Sequence, residues 1–144
     1  MSTLDERFAH ALHSTARTWR LAVDRRLKDL GLSQAGWMTI AMAAKADEPL
    51  SQIELAQRLG VEGSTMVAMI DRLMSSGLLE RQPSPTDRRV RLVVLTDAGN
   101  KLYERVKAEA EALRKELMAG IDPEHLRIAT ELLEHLERAA STAQ

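Results

Sequence analysis

Three arginines, Arg88, Arg89 and Arg91, crowd the start of the segment SPTDRRVRLVVLT (Ser84–Thr96), with one acid, Asp87, among them. Guanidinium groups stay charged and present flat donor arrays that match phosphate and carboxylate oxygens. The chain as a whole is nearly neutral: 20 basic and 21 acidic residues give a formal net charge of −1. The cations are therefore a local feature. With Arg81 counted, the stretch from Arg81 to Arg91 carries about +3. The region from Glu104 to Glu137 has nine acids and five bases. A basic tip on an otherwise balanced protein points to a polyanionic partner reached at one place.

The surrounding sequence predicts what holds that tip. Pro83 to Asp87 reads as a turn, because two prolines cannot both donate to a strand ladder. Leu78–Gln82 and Val90–Leu95 read as two short strands, so the arginines sit at the end of a hairpin. Ahead of it lie two short helices. Ser51 opens the first with SQIE, a capping box in which Ser51 and Glu54 satisfy each other's backbone N–H. That helix runs from Gln52 to Leu59 and stops at Gly60. The second runs from about Ser64 to Ser76, with Met66, Met69, Ile70 and Leu73 inward and Gly77 as its stop. Ala56, Gly60, Val61, Met66 and Met69 give the spacing of a helix-turn-helix. With the hairpin, this makes a winged helix.

Long helices flank the lobe. Phe8, Leu12, Ala16, Trp19, Val23, Leu27 and Leu30 recur at helical steps and predict one helix over residues 5–30. Ser33 caps the next, to about Lys45, with Trp37, Ile40, Ala41 and Ala44 inward. Thr96 caps a helix carrying Leu102, Val106, Ala110, Leu113 and Leu117, and Asp122-Pro123-Glu124 starts the last. The flanking helices have too little core of their own, so the reading buries their stripes against a second copy. The expected class is mostly α with a small β-wing.

Composition excludes several functions. No apolar run approaches the ~20 residues that cross a bilayer, and the basic cluster adjoins no apolar face, so a membrane partner is not expected. The N-terminus does not read as a secretory signal, and the expected location is the cytoplasm. There is no cysteine, hence no disulfide or thiolate metal site. Glu6, His10 and His13 are spaced to share a helix face, but the set is too sparse for a metal site to be expected. His125 and His135 read as surface positions. No nucleophile–base pattern, paired carboxylates or phosphate-cradling glycine loop suggests an enzyme or a cofactor.

The run LSQIELAQRLGVEGSTMVAMIDRLMSSGLLER, followed by PSPTDRRVRLVVLTDAGNKL, resembles the winged-helix core of the MarR/SlyA family of bacterial transcriptional regulators. Asp87, Arg89, Val93, Leu95 and Thr96 fill that family's wing signature. The resemblance implies a homodimer on a pseudo-palindromic duplex operator, with a recognition helix in the major groove and a wing in the adjacent minor groove. It also divides the chain into an N-terminal dimerisation helix (1–32), a DNA-binding lobe (33–100) and C-terminal dimerisation helices (101–144).

On this frame Arg89 is the expected minor-groove finger, since a narrow groove concentrates negative potential. Arg88 and Arg91 are candidate phosphate clamps. Asp87, repelled by phosphate, is expected to bond wing backbone or a neighbouring arginine and stiffen the tip. On the recognition helix, Ser64, Thr65, Val67, Ala68 and Arg72 are the candidates for the outward face. This set is poor in the residues that read base edges directly, so thymine methyls and groove shape are expected to matter. Asp71 reads as structural, paired with Arg72 or Arg81. Gln52 and Gln57 are candidates for added DNA-backbone contacts.

The family's effectors are often phenols or carboxylates. His13, Arg17, Trp19, Trp37, Met38 and Met42 are the candidates to line such a site; for any one of them, a core or surface role is the plainer reading. A repressor released by such a ligand is the leading expectation. The alternatives are an effector-independent SlyA-like activator or anti-silencer, and a winged-helix protein-interaction module.

Overall fold

The computed structural model describes residues 1–143. The elements, in chain order, are α1 (Leu4–Arg26), a 3-10 turn (Lys28–Leu30), α2 (Gln34–Lys45), β1 (Leu50–Ser51), α3 (Gln52–Leu59), α4 (Gly63–Ser75), β2 (Leu79–Pro83), β3 (Arg91–Leu95), α5 (Asp97–Met118) and α6 (Pro123–Thr142). The chain divides into two compact units, Met1–Leu113 and the remainder from Arg114. The mostly helical class with a small sheet is the one the sequence predicts.

The first unit is organised by two apolar clusters. One gathers Ile40, Leu50, Leu55, Ala56, Met66, Met69, Ile70, Leu73, Leu79 and Val93 from α2, α3, α4 and the sheet. The four residues expected to face inward on α4 are all in it. The other joins Val23 and Leu27 to Val106 and Leu113, with Trp19 and Trp37 packed against it. Each fully buried aliphatic side chain contributes about 1.5–3 kcal/mol. The first cluster therefore fixes α3, α4 and the sheet against α2, and the second fixes the end of α1 against α5.

The caps are as the residue types require. Ser51 Oγ accepts from Glu54 N at 3.1 Å, and the Glu54 carboxylate accepts from Ser51 N at 3.2 Å, closing the capping box. Gly60 adopts φ 70°, a left-handed conformation that a Cβ would disfavour. Val61 N then reaches back to Ala56 O at 3.0 Å, fixing the turn between α3 and α4.

The sheet has order β1-β3-β2, antiparallel throughout. The sequence predicts two of these strands and not β1, which is only Leu50–Ser51, paired with Val93 and Leu92. Two residues are too few for any periodicity to show. Pro83, expected in the turn, instead ends β2 opposite Arg91. An edge strand tolerates it there, since its missing N–H is not needed by a neighbour. The first helix also ends earlier than expected. Leu27 N is shared between Val23 O and Asp24 O, and the chain tightens into the 3-10 turn before Gly31. An apolar step of three fits both helix types, so spacing alone could not separate them.

In the second unit, α6 starts at Pro123 behind an Asp122 cap and has no buried residue. Leu126, Ile128, Leu132 and Leu133 are exposed along it. On α1, Leu4, Phe8, Leu12 and Leu21 are likewise exposed. No helix among the described residues is long and apolar enough to cross a membrane.

Candidate nucleic-acid interface

Helix α4 presents Ser64, Thr65, Val67, Ala68 and Arg72 to solvent, while Met66, Met69, Ile70 and Leu73 point into the core. Its N-cap, Glu62, makes no side-chain bond to the helix. The N–H groups of the first turn, beside the Ser64 and Thr65 hydroxyls, thus lack an intrahelical acceptor and suit an anion.

The wing tip is built from short-range bonds. Ser84 Oγ accepts from the N–H of Thr86 and Asp87 at 3.2 and 3.3 Å, and Ser84 N donates to Val90 O at 3.1 Å. Asp87 then pairs with Arg89. Its Oδ1 accepts from Arg89 N at 3.0 Å and from Nε at 3.2 Å, and its Oδ2 accepts from Nη2 at 3.2 Å. These bonds favour the charged carboxylate and hold Asp87 below the usual carboxylate range. The Arg89 side chain remains 91% exposed, against 38% for Asp87. The guanidinium is thus oriented without being covered. Arg91 Nη1 folds back to donate to Arg88 O at 3.0 Å, and Arg88 is exposed.

Asp71 pairs with Arg81, Nη2 to Oδ1 at 2.7 Å, one of the two partners expected for it. Gln52 is also drawn to Arg81, its Oε1 accepting from Nε at 2.5 Å. It is therefore turned toward β2 and half-buried, while Gln57 is exposed. The sequence marks Arg81 as a charge of the basic run and a possible partner of Asp71, but not as a hub that also binds Gln52, Met74 and Val67. Its partners lie 29 residues upstream on α3 and 7 to 14 upstream on α4, and only the fold brings them together.

A cavity of about 470 Å³ lies behind α4, lined among others by Arg20, Met38, Met42, Arg58, Met66 and Met69. It reaches Thr65 at the start of α4. An adjoining cavity of about 350 Å³ is lined by Trp37, Met38, Met42 and Arg58. Of the six ligand candidates, Met38, Met42 and Trp37 therefore line these spaces. His13, Arg17 and Trp19 line neither. Trp19 packs on the second apolar cluster, and His13 and Arg17 are exposed on α1. The cation on α1 that faces the larger cavity is Arg20, one turn beyond the expected Arg17 and hence on the same helix stripe. Trp37 is shared with structure: its indole N–H donates to Asp24 at 3.3 Å. Among the described residues, no group of three or more His, Asp or Glu side chains is placed to hold a metal ion.

Residues 32–90 match the sequence profile of the MarR family. The transcriptional regulator PA3341 is similar over nearly the whole chain, with 35% identity, 94% of this chain and 99% of that one covered, and a TM-score of 0.89. The chain belongs to the MarR family. It is a DNA-binding transcriptional regulator, and its structural neighbours are regulators rather than enzymes. The same fold occurs in CouR from Rhodococcus jostii RHA1, solved with p-coumaroyl-CoA bound. CouR is 24% identical, covering 100% of this chain and 99% of its own, with a TM-score of 0.83. It also occurs in apo MarR from E. coli, which is 23% identical, with coverage of 94% and 98% and a TM-score of 0.77. In this MarR-family chain, the outward face of α4 and the Asp87–Arg89 tip are both open to solvent.

Proposed function

We propose that this MarR-family protein is a homodimeric repressor that binds a pseudo-palindromic operator and releases it when a small aromatic or carboxylate ligand binds. The observation that carries the DNA half of this reading is the wing tip: a guanidinium almost fully in solvent, aimed by a carboxylate that holds it from behind. Arg89 enters the minor groove, Arg88 and Arg91 take phosphates, and Ser64, Thr65, Val67, Ala68 and Arg72 face the major groove. The helix contributes few base-edge donors, so operator discrimination leans on methyl contacts and on groove width.

A second copy covers the exposed apolar residues of α1 and α6, which a lone chain would leave in water. Two-fold symmetry then sets two half-sites about one helical turn apart, roughly 34–36 Å. Ligand response is supported by the cavity behind α4. Methionine walls suit a flat apolar body, and Arg20 and Arg58 suit an anionic group on it. Because Thr65 belongs to both the cavity lining and the DNA face, an occupant acts directly on the start of the recognition helix. CouR, of the same fold, binds an aromatic acyl-CoA, which favours an aromatic body for the ligand here as well.

The test is enrichment of a random duplex pool on the purified protein, followed by sequencing. An inverted repeat with half-sites one turn apart is expected. Failure to enrich any sequence contradicts specific DNA reading and leaves the protein-interaction alternative.

A further inference from the structure

Arg81 uses all three guanidinium nitrogens inside the lobe. Nε donates to Gln52 Oε1 at 2.5 Å on the first residue of α3. Nη1 donates to Met74 Sδ at 3.2 Å, and Nη2 to Val67 O at 3.4 Å. Nη2 also pairs with Asp71 Oδ1 at 2.7 Å. Four of the five N–H donors of the group are thereby engaged. Its side chain is 24% exposed, in contrast to the solvent-facing Arg89.

The arrangement has a direction. Val67, Asp71 and Met74 lie at i, i+4 and i+7, one stripe along two turns of α4. A rigid planar fork bonded along such a stripe fixes the rotation of the helix about its own axis as well as its distance. Arg81 sits in β2 opposite Val93, so the other end of the link is the stem of the wing. One of its acceptors is the backbone carbonyl of Val67, whose side chain belongs to the outward face. We propose that Arg81 is a positioning residue: it locks the recognition helix, α3 and the wing stem into one register, so that major-groove and minor-groove contacts are made together.

This inference rests on the DNA-binding reading above. Its test uses full-length protein, the duplex enriched by the wild type, and a shuffled duplex of the same composition. Arg81→Gln removes the charge and most of the fork. The ratio of affinities for enriched over shuffled DNA falls by about tenfold or more, because half-placed base contacts act like mismatches. Affinity for shuffled DNA and its salt slope stay at the wild-type values, since no phosphate contact is lost. Arg81→Lys restores the charge but not the ratio, because one ammonium cannot span Gln52, Asp71 and Val67. Gln52→Leu lowers the ratio in the same direction with the charge untouched.

Circular dichroism and sedimentation confirm that each variant is a folded dimer; if Arg81→Gln does not fold, Gln52→Leu decides, read on both duplexes: a fall in the ratio supports the proposal, and an equal loss on both, as from a lost backbone contact, overturns it. An unchanged ratio in a folded variant overturns the proposal. Equal loss on both duplexes with a shallower salt slope also overturns it, because that is the behaviour of a phosphate clamp. If the wild type enriches no duplex, the DNA-binding reading itself fails, a result distinct from either.

Discussion

Asp87 grips Arg89 with both carboxylate oxygens, Oδ1 on Nε and Oδ2 on Nη2, each at 3.2 Å, while Oδ1 also accepts the Arg89 backbone N–H. One short side chain thus sets the backbone and the guanidinium of its neighbour but one. An exposed ion pair contributes little to stability. Its proposed value is geometric: a long, flexible side chain is held in one place at the end of the wing, so less of its freedom would be lost on contact with DNA.

Removing the guanidinium tests that role. Arg89→Ala weakens binding to the enriched operator by roughly 1–3 kcal/mol per wing, the range of one good specific contact. The dimer and the melting temperature stay as in the wild type, because Arg89 touches nothing in the core. Anisotropy titrations with sedimentation as control make the comparison, and an unchanged affinity would remove Arg89 from the interface.

The pair also predicts a pH window. The folded-state value of Asp87 lies below the ordinary 3.8. The contribution of the pair is therefore fully present above that ordinary value and is lost only as pH falls through the lower, folded-state one. Wing order stays flat across the neutral range. In an NMR titration the Asp87 carboxyl carbon has its midpoint below 3.8 and moves up in Arg89→Ala. A wild-type midpoint at or above the ordinary value contradicts the pairing.

Gly99 gives a stability test far from the DNA face. Thr96 Oγ1 accepts from Gly99 N at 3.0 Å and donates to Gly77 O at 2.6 Å, clamping the start of α5 to the end of α4. A Cβ at Gly99 would stand 2.1 Å from Leu78 O. Alanine in a helix is ordinarily better than glycine by about 1 kcal/mol. Here overpacking against a backbone oxygen costs about 1–3 kcal/mol and wins. Gly99→Ala lowers the urea midpoint; a raised midpoint means that the contact relaxes freely.

Charge on the exposed stripe of α6 probes the dimer. Leu132→Glu together with Leu133→Glu places carboxylates where two apolar faces are to meet, and sedimentation shifts toward monomer at micromolar concentration. Burying either charge without a partner is far more costly than leaving it in water. A double variant that remains fully dimeric rules α6 out of the interface.

For the ligand half, Met42 is the informative position because it lines both cavities. With the wild type, an aromatic carboxylate such as benzoate or p-coumarate raises the melting temperature of the free protein and weakens operator binding, as linkage requires. Met42→Trp fills the space and abolishes both effects while operator affinity persists. A response that survives in Met42→Trp places the effector elsewhere.

Much of this lobe was legible in the sequence because its signals are local. SQIE, Gly60 and Gly77 state where helices begin and end, and the four inward residues of α4 follow from a period of 3.6. The tip arginines are adjacent in sequence, so Asp87 could be matched to one of them. What stayed hidden is non-local or too short. β1 has two residues, and the sequence offers Arg81 to Asp71 but gives no sign of Gln52, Met74 and Val67 beside it. On α1, Arg17 and Arg20 sit one turn apart, and sequence spacing cannot say which of the two meets the cavity.

The most direct test of the central claim is anisotropy on labelled DNA from upstream of the protein's own gene, with excess unlabelled random duplex and a salt series. A DNA-reading regulator of this kind binds tightly in the presence of the competitor. Its affinity falls by about 10³–10⁵ between 50 and 200 mM salt for about six to ten phosphate contacts. Binding no tighter than to random DNA, with a flat salt profile, would contradict the claim.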